Sequence, residues 1–324
     1  MIRLERVDPY AFAEPASRIL QEAWPPPTMR FTADYLRWQF SFPGPLPPLG
    51  VAAFEGDEPV GFVGMTPRQL RFRGHSGPAY LHSFGGVRPA WRGRGLAAEL
   101  YAYLLERREP ALPIVGWIEE GAGGHRTLMR AASLAGFEVP LPVLGANPVY
   151  GYRPGSSDSD GPLLEVVEDA DGRAFLDVAR RCVSPDTIWN DPDTAILEHY
   201  RRDPRGRLLV VVKASDGEVV GAAMLVHAEV VTARQIERVA TVDSVFLPRP
   251  DLDTLASVLR FTARRWAPPG RPSVVGAPSL WTVPAEVRRA AGLRRMGKGF
   301  QGQLEVPSHR HPYASAEGTN LEIV

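Results

Sequence analysis

This sequence of 324 residues contains a single cysteine and has no formal net charge. The single Cys182 has no intramolecular partner for a disulfide, so it is predicted to be a small core residue in a cytoplasmic protein. Lys plus Arg and Asp plus Glu both number 37, which gives a formal net charge of zero. A protein that coats nucleic acid should be strongly basic, so nucleic acid is not the expected partner.

Long apolar runs are also missing. No run approaches the ~20 residues that a membrane-spanning helix needs, and the opening MIRLERVDPY has no signal-peptide core. We therefore expect no membrane partner. The composition that remains is globular, 44% hydrophobic and 23% charged, and the length predicts two domains of roughly 100–200 residues each.

A turn-rich segment, RPGSSDSDGP at 153–162, divides the chain near its middle and is predicted to be a linker. The predicted organisation is an N-terminal domain over 1–152, a C-terminal domain over 163–306 and a tail over 307–324. The apolar end of that tail could dock on the fold or remain loose.

The two halves repeat the same order of predicted elements. Each has a strand and helix, a second short helix, a hairpin, a strand–proline–helix unit and a last helix stopped by glycine. The hairpin turns Gly56–Asp57 and Asp216–Gly217 lie about 160 residues apart, which indicates an internal duplication. The predicted fold class is α/β (α+β), with a twisted mixed sheet flanked by helices in each half.

The sequence GGVRPAWRGRGLAAEL at 85–100 places glycines and arginines at the start of a helix. A helix N-terminus presents unpaired N–H groups and a partial positive charge, and glycine lets a ligand approach them. We expect the backbone from Gly93 to Ala97 to bind a pyrophosphate, with Arg92 and Arg94 adding charge. The alternative is a solvated helix cap without a ligand.

The same stretch resembles the acyl-coenzyme A motif of the GCN5-related N-acetyltransferase (GNAT) superfamily, Arg/Gln-x-x-Gly-x-Gly/Ala after a strand ending in Val-x-Pro. Arg92, Gly95 and Ala97 match the motif, after Val87 and Pro89. The element order of both halves resembles a tandem form of that family with a degenerate second half. The resemblance implies acetyl-CoA, or another acyl-CoA, as the cofactor. The predicted cofactor-binding residues are Gly86, Val87, Arg92, Gly93, Arg94, Gly95, Leu96 and Ala97.

In that family the strand before the motif carries a bulge, whose free backbone groups bind the pantetheine arm and polarise the thioester carbonyl. Gly85 and Gly86 are the expected place of the bulge, because glycine weakens a strand and often marks one. A plain strand bend is the alternative.

The acceptor chemistry has three candidate bases and no obvious acid. His82 is a polar residue on the strand before the motif, and Glu119 and Glu120 end the next strand, where alternation lets one of the two face the cleft. Each has a plain alternative, as a structural histidine or a solvated carboxylate. Ala132 stands where many relatives have a tyrosine acid, which leaves Tyr101 and Ser133 as weak candidates. No metal is predicted.

The second half lacks the motif. Asp251 and Asp253 lie at the matching helix start, where carboxylates cap a helix but repel phosphate, so one cofactor site is expected per chain. The predicted function is transfer of an acetyl group from acetyl-CoA to an amine of a small molecule. The alternatives are transfer from an aminoacyl-tRNA or acyl carrier protein, and a non-catalytic CoA-binding protein.

Overall fold

A computed structural model of the chain describes residues 1–107, 112–119, 123–136, 143–147, 149–152, 164–266, 283–295, 300–305 and 321–322. The α-helices in these ranges are α1 (Ala13–Ala23), α2 (Ala33–Phe40), α3 (Leu96–Leu105), α4 (Gly124–Leu134), α5 (Arg173–Cys182), α6 (Thr194–Arg201), α7 (Leu252–Trp266) and α8 (Ala285–Ala290). None of the described helices is both long and apolar enough to cross a membrane.

The strands in the same ranges are β1 (Ile2–Val7), β2 (Thr28–Met29), β3 (Leu49–Glu55), β4 (Glu58–Phe72), β5 (His75–Val87), β6 (Ile114–Glu119), β7 (Val143–Asn147), β8 (Tyr150–Gly151), β9 (Glu165–Glu168), β10 (Ile188–Asn190), β11 (Leu208–Lys213), β12 (Val219–Val231), β13 (Ile236–Phe246), β14 (Arg294–Arg295), β15 (Phe300–Glu305) and β16 (Leu321–Glu322). The two predicted hairpins are confirmed: β3 turns into β4 through Gly56–Asp57, and β11 turns into β12 near Gly217.

The larger sheet is mixed, with the order β1-β3-β4-β5-β6-β15-β7. Strands β5 and β6 run parallel and are connected through α3, which confirms the strand–helix–strand unit predicted for the first half. The other pairs along this order are antiparallel. At the far end of β4, β10 pairs with it, and β16 runs parallel to β10, so Leu321–Glu322 of the predicted tail dock on the sheet.

The smaller sheet has the order β13-β12-β11-β9, and its described pairs are antiparallel. Strand β2 from the first half adds to the edge of β12. The parallel strand expected after α7 falls within residues 267–282, outside the described ranges. Helix α5 covers one face of this sheet and α7 the other, because alternate residues of β11 are apolar on both faces.

The two halves exchange strands. Both β10 and β15 come from the second half and lie in the larger sheet, whereas β2 makes the opposite crossing. The division of the chain at 152, 163 and 306 stays a prediction, and the predicted linker 153–162 lies outside the described residues. The halves nevertheless do not form two independent sheets.

One apolar cluster spans both halves. On the face of the larger sheet that carries α1 and α2, Phe62 and Phe84 pack in the same cluster as Phe175 of α5 and Trp189 of β10. The opposite face, covered by α3, forms a separate cluster within the first half. Cys182 is half-buried and packs against the border of the shared cluster, not inside the core as the sequence predicted.

His199 lies in the middle of this junction. Its imidazole stacks on Trp38, with ring centroids 4.8 Å apart, and the Trp38 indole donates to the His199 carbonyl at 2.8 Å. Burial lowers the pKa of His199 to about 4, and the neighbouring guanidinium groups of Arg68 and Arg207 act in the same direction. The histidine is therefore neutral in the folded protein over the physiological range.

Acidification from about pH 6.5 to about pH 4 is expected to lower the free energy of unfolding. His199 and His82, both with a pKa of about 4 when folded, gain their protons earlier in the unfolded chain, so protons favour unfolding across this window. Urea midpoints at several pH values measure the effect. His199→Gln should flatten part of the fall, whereas His75→Gln, on the exposed β4–β5 turn, should not. A wild-type midpoint that is constant over the window would contradict the prediction.

Candidate functional site

Strands β5 and β6 separate in the middle of the larger sheet. Their parallel pairing joins Tyr80 to Ile114, Leu81 to Val115 and His82 to Gly116, and it stops there. Strand β5 nevertheless continues to Val87, held on its other side by β4. Residues 83–87 therefore have an edge without a strand partner among the described residues, and such an edge offers backbone N–H and C=O groups.

The bulge of β5 is at Ser83, and the prediction that it lies at Gly85–Gly86 was wrong. The ladder with β4 shifts between the pairs Gly64–Phe84 and Met65–His82, which leaves Ser83 as the extra residue, while the two glycines pair regularly. They are glycines because of close packing. A Cβ atom at 85 would lie 2.2 Å from the Tyr101 hydroxyl, and one at 86 would lie 2.8 Å from the Cβ of Ala23.

The start of α3 has the backbone shape that the motif predicts. Gly93 and Gly95 have φ angles of +75° and +84°, a region in which side chains are strained. Gly95 is the N-cap, and its carbonyl accepts bonds from the N–H groups of Ala98 and Glu99. The N–H groups from Gly93 to Ala97 have no hydrogen-bond partner within the described part of the chain. This row of donors at a helix N-terminus suits an anion.

The arginines near α3 differ in how they are held. Arg94 is exposed and stacks on Trp91, with its Cζ 4.6 Å from the ring centroid. Arg92 donates to the carbonyl of Ala23 at the end of α1, so it links that helix to the motif. Arg88 forms ion pairs with Glu22 and Glu58 instead.

Arg130 of α4 is a cation at this site that sequence reasoning missed. A Cβ atom at Gly95 would lie 3.1 Å from its Nη2 atom, so the guanidinium lies directly against the N-cap of α3. Arg130 is exposed and 35 residues beyond Gly95 in the chain. No local pattern could have assigned it, because the packing of α4 on α3 brings it there.

His82 lies at the last pair before the strands separate. It is 6% exposed, and a Cβ atom at Gly116 would lie 2.3 Å from its Nε2 atom. Its ring meets Tyr101 edge-on, with centroids 5.8 Å apart. Burial lowers the pKa of His82 to about 4 and leaves Nε2 without a hydrogen-bond partner in the described chain.

The structure describes less of the other catalytic candidates than of His82. Glu119 is the last residue of β6, and its backbone pairs with Phe300 of β15. The Glu119 side chain and the whole of Glu120 lie outside the described residues. Ala132 is buried in α4, and Ser133 is exposed.

Tyr101 of α3 has a hydroxyl group that lies against β5. It lies on Gly85, and burial raises its pKa to about 12, so the phenol keeps its proton.

In the second half, the start of α7 corresponds to the start of α3, and it is capped by the side chain of Asp251. The Asp251 carboxylate accepts bonds from the backbone N–H of Thr254 at 2.8 Å and from the Thr254 hydroxyl at 2.7 Å. An aspartate cap occupies an N–H group that an anion would otherwise bind, and its negative charge repels that anion. Within the described residues, no three His, Cys, Asp or Glu side chains are arranged to hold a metal ion.

Comparisons with known proteins agree with this geometry. Residues 13–110 match the model of the acetyltransferase (GNAT) family. No curated protein matches the chain in sequence. Yeast (Saccharomyces cerevisiae) N-myristoyltransferase with bound myristoyl-CoA superposes with a TM-score of 0.66 at 14% identity, over 100% of this chain and 85% of that one. A GCN5-related N-acetyltransferase from Anabaena variabilis superposes with a TM-score of 0.57 at 13% identity, over 94% and 73%.

At these identities the solved structures show the fold, and the family assignment comes from the matched segment, which contains α1 to α3 and the whole glycine–arginine motif. Residues 13–110 are therefore similar to the acetyltransferase (GNAT) family, and the chain has the fold that GNAT-type acyltransferases share.

Proposed function

We propose that the protein transfers an acyl group from acyl-coenzyme A to an amine, and that the transfer is of acetyl to a small molecule. The observation that carries the proposal is the row of unpartnered N–H groups from Gly93 to Ala97 at the start of α3. A pyrophosphate fits this row, since its oxygens accept several such bonds and Arg94 and Arg130 stand beside it. Bound myristoyl-CoA in a structure of the same fold supports an acyl-CoA donor.

The free edge of β5 supports the same donor. It begins near the α3 start, where Val87 and Leu96 share an apolar cluster, and it ends at Ser83 beside the strand separation. Five strand residues span roughly 16 Å at about 3.3 Å each. The amides of a pantetheine arm would pair with Val87 along this edge. The resemblance assigned the same role to Gly86, but the strand register directs the backbone N–H and C=O of Gly86 toward Phe62 of β4.

Acyl-CoA supplies a thioester, whose carbonyl carbon bonds to the amine nitrogen while the carbon–sulfur bond breaks. The amine must lose a proton, and the carbonyl oxygen gains charge that backbone N–H groups of the free edge can stabilise. The leaving group is a thiolate, which thiols form at pH values not far above neutral, so it departs with little help. Tyr101 is better placed than the exposed Ser133 to protonate it.

Glu119 or Glu120 is our proposed base, in preference to His82. A buried histidine with a pKa of about 4 is a poor proton acceptor, and it packs against Gly116 and Tyr101 rather than an open surface. A carboxylate at the end of β6 could instead take the amine proton or hold a cationic acceptor.

A cytoplasmic location stays a prediction from the single cysteine.

The first test compares Gly95→Asp with Gly95→Asn. Both residues tolerate the left-handed backbone at position 95 and have nearly the same shape, but only aspartate adds a negative charge. Calorimetry with acetyl-CoA should show affinity reduced at least about tenfold more by Asp than by Asn, because the carboxylate repels pyrophosphate and pairs with Arg130. Equal affinities in two folded variants would remove the pyrophosphate assignment.

The number of sites provides a second test. One equivalent of acetyl-CoA should bind per chain, because the Asp251 carboxylate caps the start of α7. Asp251→Ala should destabilise the protein by about 1 kcal/mol through loss of the cap, without creating a second site. A stoichiometry of two for the wild-type protein would be incompatible with a single site in the first half.

Kinetics on an amine substrate identify the base. Glu119→Gln or Glu120→Gln should lower turnover by roughly 10²–10⁴-fold if the residue is the base, or mainly raise KM if it only holds the amine. His82→Gln should keep the shape of the pH–rate profile between about pH 5.5 and 9, because His82 with a pKa of about 4 does not titrate there. Unchanged turnover and KM in both glutamine variants would exclude both carboxylates.

A further inference from the structure

The inner end of the strand separation is closed by side chains on the face that carries α3 and α4. His82 covers the place where a side chain at Gly116 would project, with its Nε2 atom 2.3 Å from that Cβ position. Tyr101 meets the His82 ring edge-on, and Ile118 packs in the same small cluster as Tyr101 and Leu128. Three neighbouring elements, β5, β6 and α3, thus contribute to one wall.

This wall is polar as well as closed. The Nε2 atom of His82 is buried and has no hydrogen-bond partner within the described chain. No hydrogen bond of the Tyr101 hydroxyl is found there either, although that hydroxyl lies on the backbone of Gly85. An alkyl chain that pushed into this wall would displace packed side chains and bury polar groups without partners, and both effects are unfavourable.

The wall stands at the inner end of the donor path. A donor held by its pyrophosphate at Gly93–Ala97 and extended along residues 87 to 83 of β5 brings its thioester to the point where pairing resumes at His82. Any acyl carbon atoms beyond the thioester on the α3 side would meet His82 and Tyr101.

We infer that His82, with Tyr101 and Ile118, sets the length of the acyl group and restricts the donor to a short chain such as acetyl. The inference rests on the proposed acyl-CoA site and gives His82 the role of a specificity-determining residue. It also explains why glycine is required at 116, because a side chain there would occupy the position of the His82 imidazole.

The experiment is calorimetric titration of the full-length protein with CoA, acetyl-CoA, butyryl-CoA, hexanoyl-CoA and myristoyl-CoA. The wild-type protein should bind hexanoyl-CoA and myristoyl-CoA at least about tenfold more weakly than acetyl-CoA. His82→Ala should reduce this discrimination by about the same factor, and Ile118→Ala should reduce it independently from the β6 side. His227→Ala is the control, because His227 is also a strand histidine in contact with an aromatic ring, Trp266, but lies in the smaller sheet.

The outcomes separate the inference from the proposed function. Equal wild-type affinity for all four acyl-CoAs would overturn the inference and leave the donor assignment intact. Failure of every ligand, CoA included, to bind would overturn the proposed function itself. If His82→Ala does not fold, the wild-type series and Ile118→Ala still test the inference. Discrimination that is unchanged in folded His82→Ala would also overturn the inference.

Discussion

The candidate site depends on the separation of two parallel strands that remain fixed on their outer sides. After the His82–Gly116 pair, β5 continues to pair with β4, and β6 pairs along its whole length with β15. Each strand is therefore paired on its outer side, so the gap between them lies inside a continuous sheet. A ligand that enters this gap meets backbone groups already held in place, and little conformational entropy is lost when it binds.

The two halves give opposite solutions to the same problem at the start of a helix. At α3, left-handed glycines leave the N–H groups without partners, and two arginines stand nearby. At α7, the Asp251 carboxylate accepts the N–H of Thr254 from within the chain. The first arrangement leaves N–H donors available to an anion at a cost in local stability, and the second uses a side chain to stabilise the helix start. One half therefore retains the features of an anion site, while the other supports the shared core.

The features that the sequence predicted correctly depend on residues close together in the chain. The start of α3, the hairpin turns and the β5–α3–β6 unit each lie within a segment of about 45 residues or fewer. The position of the bulge, the approach of Arg130 and the crossing of β15 depend instead on packing between distant segments. Glycine itself was ambiguous: at 85 and 86 it marks close contacts with Tyr101 and Ala23 rather than an extra residue.

The insertion of β15 between β6 and β7 has a consequence for the order of folding. A ribosome releases β6 long before residues 300–305, so the nascent first half has two strands without the partner that joins them. Contacts across about 180 residues form slowly, and unpaired edges invite association with other chains in the meantime. The residues of the candidate site are thus synthesised early, but the sheet that fixes them is completed only after residues 300–305 have been made.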